Sequence, residues 1–149
     1  MTLNLSNLLY RDLRAHSEET YPKECCGILL GTADGGAITV QLLVRAGNTR
    51  TDSAHNRYNI APQELISAQR EGRKAGLEIV GFYHSHPDHP AQWSATDFAE
   101  AHWLGCAYVI TTVEQGHATV TNSFLLTGTG EEDKAFSQQS ILLHPSESK

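Results

Sequence analysis

The stretch LEIVGFYHSHPDHPAQWSATD (Leu77–Asp97) decides how the chain is read. Its first half, LEIVGFYHSH, is apolar nearly throughout, the signature of a strand buried on both faces and therefore central in a sheet. His84 and His86 close that strand two residues apart. In an extended chain such residues point to the same face. Two imidazoles in that relation can reach one ion at about 2.0–2.1 Å. They stand at the C-terminal end of the strand, where the chain leaves the core and a site can open to solvent. A proline-containing loop follows, and Ser94 then opens a helix. Ser94-x-x-Asp97 has the form of a capping box, in which the two side chains satisfy free N–H groups of the first turn. The same turn can aim the Asp97 carboxylate back at the end of the strand.

The residues alone allow two metal sets. One is His84, His86, Asp88 and His89, spelling H-x-H-x-D-H; the other is His84, His86 and Asp97. Each has a plain structural alternative. H-x-H pairs occur on ordinary polar strand faces, Ser94 and Asp97 can serve as a helix cap only, and Asp88 and His89 can be loop residues. Two nitrogens and one carboxylate leave a fourth tetrahedral position open, the pattern of catalytic rather than structural zinc.

Working outward, Leu5, Leu8, Leu9, Leu13 and His16 recur at helical spacing and predict a helix over residues 6–20, ended near Pro22. CCGILLGT, the turn signal ADGG and AITVQLLVRA together predict a hairpin. Residues 47–57 are polar and unpatterned and read as a loop; RYNI reads as a short strand. Pro62 suits the first position of a helix ending at Ala75 before Gly76. The helix opened by Ser94 is expected to reach Leu104. GCAYVITT, ATVTNSFLLT and AFSQQSILLH read as three further strands. The order is neither all-β nor strictly alternating. We therefore expect an α/β protein, a single-domain sandwich of a mixed curved β-sheet with flanking helices, over residues 1–143. Residues 144–149 are expected to form a disordered tail.

The whole chain narrows the functional classes. Its 149 residues suffice for one domain with a real core. A formal net charge of −6 without a basic stripe argues against nucleic acid as a partner. No apolar run approaches the length of about 18 residues that a membrane helix needs, and MTLNLSNLLYRDL lacks the features of a signal peptide. Cys25, Cys26 and Cys106 form no C-x-x-C and give no disulfide framework, which fits a reducing cytoplasm. Eight histidines are many for this length, and histidine is the commonest metal ligand.

Taken as a set, His84-Ser85-His86-Pro87, six residues, and Ser94-x-x-Asp97 give H-S-H-P-x6-S-x-x-D. This resembles the motif of the JAMM metallopeptidases, also called the MPN-plus family. The resemblance extends over roughly residues 2–125 and includes a glutamate before an apolar strand, here Glu24 in PKECCGILLG. It implies a cytidine-deaminase-like fold and one Zn²⁺ per chain held by His84, His86 and Asp97. It implies Glu24 as the general base that passes a proton to the leaving amine, and Ser94 as the donor to the tetrahedral oxyanion. Pro87 would set the turn after His86, with Ser85 on the opposite side of the strand. The reaction implied is hydrolysis of a peptide or isopeptide bond.

The chain resembles the small stand-alone prokaryotic members, which are associated with ubiquitin-like sulfur-carrier proteins ending in Gly-Gly. Such a tail would lie along a sheet edge, between residues 47–57 and 88–93, with Asn48 and Trp93 as substrate contacts. The protein would be a monomer or homodimer. Two other readings stand beside it: a non-catalytic MPN-type binding module, and a metallo-β-lactamase-like hydrolase using His84, His86, Asp88 and His89. The latter lacks the Gly-rich turn after His89 and has only 60 residues downstream for its remaining ligands.

Overall fold

The computed structural model describes residues 1–48 and 59–145. In chain order the elements are β1 (Thr2–Ser6), α1 (Asn7–Thr20), β2 (Cys26–Asp34), β3 (Ala37–Ala46), α2 (Pro62–Lys74), β4 (Glu78–Pro87), α3 (Ala95–Glu100), β5 (Ala107–Glu114), β6 (His117–Thr127) and β7 (Ala135–His144). The seven strands close in the order β1-β3-β2-β4-β5-β6-β7. The sheet is mixed: β1 runs parallel to β3 and to β7, β4 parallel to β5, and the remaining pairs are antiparallel.

The expected class, α/β with a mixed curved sheet, stands, but the sheet is a closed barrel rather than one layer of a sandwich. The reason is β1. TLNLS alternates in the strand period, and Leu3 and Leu5 are fully buried. This short strand bridges β3 and β7, which would otherwise be the two edges. Ser6 ends β1 and also caps α1, its hydroxyl accepting from Leu9 N at 3.1 Å. β4 extends past its last registered pair with β2, His84–Cys26, and there Ser85 N donates to Cys25 O at 3.2 Å.

The curled sheet wraps α1, which contacts β1, β3, β4, β5, β6 and β7. Leu13 of α1 joins Leu3, Leu5, Leu29, Tyr83 and Val109 in one core. The other face of the sheet buries Ile28, Leu30, Phe82, Tyr108 and Leu126 with Ala68 of α2 and Ala101 beyond α3. A Cβ on Gly27 would collide with the Tyr83 ring, so glycine there makes room for the tyrosine.

α2 begins with Pro62 at its first turn, and Gly76 follows its C-cap Ala75 at φ +73°. Most of the expected loop 47–57, and Arg57 and Tyr58 of the expected strand RYNI, lie outside the described residues; Ile60 forms an isolated bridge with Asn48. Two elements depart from expectation. The helix after Ser94 ends at Glu100 rather than near Leu104, because Ala101 is extended and buried. β7 runs through His144, which pairs with Ser6; residues 146–149 of the expected tail lie outside the described residues. No helix among the described residues is long and apolar enough to cross a membrane.

Candidate active site

β4 delivers the two histidines. It is paired to β2 on one side and β5 on the other, so its backbone is fixed where His84 and His86 emerge. Alternation puts both rings on one face and Ser85 on the other. Ser85 Oγ accepts from Cys25 N at 2.8 Å, which ties the residue after Glu24 to the histidine strand. His84 is 2% exposed and His86 7%.

α3 delivers the carboxylate. Asp97 N donates to Ser94 Oγ at 3.0 Å, and Ser94 N donates to Asp97 Oδ2 at 2.9 Å, a complete capping box. The box also aims Asp97 at β4. His84 Nε2 lies 3.2 Å from Asp97 Oδ1, His86 Nε2 3.0 Å from Asp97 Oδ2, and the two Nε2 atoms are 3.2 Å apart. Ligand atoms of all three residues fall within 4.8 Å of one another. Donor atoms of a tetrahedral zinc, each about 2.0–2.1 Å from the ion, stand about 3.3 Å apart. The spacing of the two Nε2 atoms, 3.2 Å, matches that edge, and one Asp97 oxygen stands beside each imidazole.

The donor set points the same way. His86 Nδ1 lies 2.8 Å from the Pro90 carbonyl. A carbonyl oxygen only accepts, so Nδ1 carries the proton. The Nε2 lone pair is thereby left for the site, the usual support of a metal-bound imidazole. Lone pairs converging at 3.0–3.2 Å require a proton or a cation between them.

The electrostatics follow. Burial disfavours the charged form of Asp97, but hydrogen bonds from His84 and His86 outweigh it and hold the carboxyl far below its usual range. Burial depresses His84. For His86 the same burial is overcome by Asp97 and the Pro90 carbonyl, and its pKa rises.

Glu24 stands just before β2, 3% exposed. Burial pushes its carboxyl up to about 8, and its Oε1 has no hydrogen-bond partner among the described residues. Its backbone carbonyl accepts from Asn48 Nδ2 at 3.3 Å, while Asn48 Oδ1 accepts from Asn59 N at 2.9 Å. Asn48 thus steadies the Glu24 backbone from behind. Glu24, His86 and Ser94 line one cavity of about 390 Å³ with His89, Pro90 and Gln92. Because Ser94 Oγ accepts from Asp97 N, its own proton is left to donate outward. Trp93 is 41% exposed, and its ring packs 5.4 Å from those of Phe98 and Phe136.

The competing set is not assembled. Asp88 Oδ2 accepts from Tyr21 OH at 2.6 Å and Oδ1 from Gln115 N at 2.8 Å. Asp88 sits at φ +56°, a turn conformation that Asp tolerates. Its carboxylate staples the loop and does not face His84 and His86. His89 lines the site cavity and a second one of about 760 Å³ that adjoins it across Pro90 and Gln92. The staple of Tyr21, Asp88 and Gln115 escaped the sequence reading, since its members are 67 and 27 residues apart and carry no shared pattern.

Two histidines and an aspartate whose donor atoms could hold a metal ion, beside a buried carboxylate and a hydroxyl, are the side chains that hydrolytic metalloenzymes use. Residues 6–127 match the family described as prokaryotic homologs of the JAB domain, and the chain belongs to that family. It is 37% identical over 89 residues to a desampylase of Haloferax volcanii, 60% of this chain and 62% of that protein. It is 32% identical over 95 residues to a probable TtuB-protein conjugate cleaving protease of Thermus thermophilus, 64% of this chain and 60% of that protein. The matched stretch thus spans about three fifths of each of these relatives.

Among solved structures, a Desulfitobacterium hafniense protein superposes with a TM-score of 0.81 at 28% identity, covering 97% of this chain and 94% of that one. A Salinibacter ruber protein does so with a TM-score of 0.71 at 35% identity, covering 97% and 92%.

Proposed function

We propose that the protein is a zinc-dependent hydrolase that cleaves the peptide or isopeptide bond following the Gly-Gly terminus of a ubiquitin-like sulfur-carrier protein. The observation that carries the reading is the convergence of His84, His86 and Asp97 beside Glu24 and Ser94 at one cavity. The names of the two curated relatives, one a desampylase and the other a cleaver of protein conjugates, support the substrate class.

The ligands are His84, His86 and Asp97. The chemistry a bound zinc supplies is the lowering of a water pKa to about 7 and the polarisation of a carbonyl. Glu24 carries the proton: its buried carboxylate, with Oε1 unpartnered among the described residues, would take a proton from the attacking water and return it to the leaving amine. Such transfer contributes roughly 10²–10⁴ in rate. Ser94 donates its free O–H to the developing oxyanion. Trp93, between the cavity-lining Gln92 and Ser94 and 41% exposed, would meet the substrate tail, and Asn48 supports the Glu24 backbone. We read the described residues as one metallopeptidase domain working in the cytoplasm, where the three buried free cysteines stay reduced.

The test is a cleavage assay on a Gly-Gly-ended sulfur-carrier protein with a short C-terminal extension, comparing zinc-loaded wild type with Glu24→Gln and measuring bound metal in both. The expected result is cleavage after Gly-Gly by wild type alone, with zinc retained in the variant. No cleavage by wild type with one zinc bound would sink the substrate class. No zinc in wild type would favour a binding module instead.

A further inference from the structure

Asp97 rides on a helix of only six residues, none of them buried. A helix so short has little stability of its own, yet it must hold a carboxylate at a set distance from two histidines. Its N-terminus is fixed by the capping box. At its C-terminus Phe98 O accepts from Ala101 N at 3.2 Å, and the remaining acceptor capacity of the last carbonyls is met from far along the chain.

Lys134, just before β7, reaches them. Its Nζ donates to Phe98 O at 2.9 Å and to Ala101 O at 2.9 Å, with Ala99 O at 3.5 Å. It forms an ion pair with Glu131 Oε2 at 2.9 Å, so three short acceptors match its three N–H donors. The ammonium also lies 4.9 Å from the centre of the Phe98 ring. The Lys134 side chain is 5% exposed, a burial that lysine rarely adopts unless paired. A cation at this end complements the helix dipole.

The platform carrying Lys134 is itself built. Asp133 accepts from Thr129 N, Thr129 Oγ1 and Gly130 N at 2.9–3.0 Å, which closes the turn between β6 and β7. Phe136, the second residue of β7, packs 5.6 Å from Phe98 and 5.4 Å from Trp93.

We propose that Lys134 is a positioning residue for Asp97: by holding the C-terminal carbonyls of α3, its ammonium sets where the Asp97 carboxylate stands relative to His84 and His86. The inference rests on the reading of those three residues as a metal site. Lys134 touches neither metal nor substrate and acts through the helix.

The test uses the full chain with zinc or cobalt as the probe. Zinc affinity is measured by chelator competition, and coordination by the visible absorption of the cobalt form. Wild type is set beside Lys134→Met, Lys134→Arg and Asp97→Ala. Loss of a group bonded directly to a ligating residue typically costs about 10–100-fold in metal affinity, an upper bound for a support that acts through the helix. Lys134→Met should lose affinity within that bound and show altered cobalt bands, and Lys134→Arg, which keeps the charge, should recover part of both. If Lys134→Met does not fold, Glu131→Gln, which alters an exposed partner, should show a smaller loss in the same direction. Wild-type affinity and wild-type cobalt bands in folded Lys134→Met, or in Glu131→Gln where that variant replaces it, would overturn the clamp. Unchanged affinity in Asp97→Ala is a distinguishable failure and would overturn the metal-site reading beneath it.

Discussion

The two faces of β4 carry polar residues in alternation and treat them in opposite ways. On the face toward α1, Tyr83 OH shares a 2.7 Å hydrogen bond with His16 Nδ1, and Ser85 Oγ accepts from Cys25 N. Nearby, Ser17 Oγ donates to Leu13 O at 2.9 Å. These groups complete one another inside the protein. On the other face, side-chain atoms of His84, His86 and Asp97 crowd together at 3.0–3.2 Å; Glu24 lines the same cavity as His86, and its Oε1 has no partner among the described residues. Buried polar groups are normally satisfied. The lesson is that one face is closed by bonds between the fold's own elements, while the other gathers nitrogen and carboxylate donors around one point that can take a bound group.

The comparison breaks most visibly at Glu24. Glu24→Gln should lower kcat by about 10²–10⁴ while leaving bound zinc unchanged, read by turnover and metal content on the same sample. Ser94→Ala comes next, with about 10²–10³ in kcat for loss of an oxyanion donor. It should also cost about 1 kcal/mol of stability from loss of the helix cap, seen in urea unfolding.

Metal removal tests the same face through stability. Free zinc at 100 times its dissociation constant should stabilise the folded chain by about 2.7 kcal/mol, so chelation should lower Tm, and Asp97→Ala should abolish that response.

The satisfied face should answer differently. Ser85→Ala orphans the Cys25 N–H and should cost about 1–3 kcal/mol in urea unfolding. Tyr83→Phe removes one hydrogen bond and should cost about 1 kcal/mol, with zinc affinity unchanged. A fall in kcat for Tyr83→Phe as large as that for Glu24→Gln would dissolve the distinction between the faces.

How far each feature was legible follows from whether its cause is local. The run LEIVGFYHSH gave β4 its central place because burial on both faces writes itself as continuous apolarity. The spacing from His84 to Asp97 singled out three residues that the structure brings within 4.8 Å of one another, because a shared metal would constrain residue type at fixed positions. Glu24 stood out only as a member of the whole motif, since a charged residue before a strand is ordinary. β1 was hidden although Leu3 and Leu5 alternate in TLNLS, because Leu5 also fits the helical row of Leu8, Leu9 and Leu13; pairing with β3 and β7 decides between them. The early end of α3 was illegible for a related reason. Its C-terminal carbonyls are met by Lys134, 36 residues from Phe98, and no local signal announces a partner at that distance.

The most direct measurement of the central claim is zinc stoichiometry in wild type, Asp97→Ala and Asp88→Asn. Asparagine keeps the positive φ and the hydrogen-bonding capacity at position 88, so that variant should fold. We expect one zinc per chain in wild type and in Asp88→Asn, and none in Asp97→Ala. Zinc retained without Asp97, or lost with Asp88, would contradict the assignment of the metal to His84, His86 and Asp97.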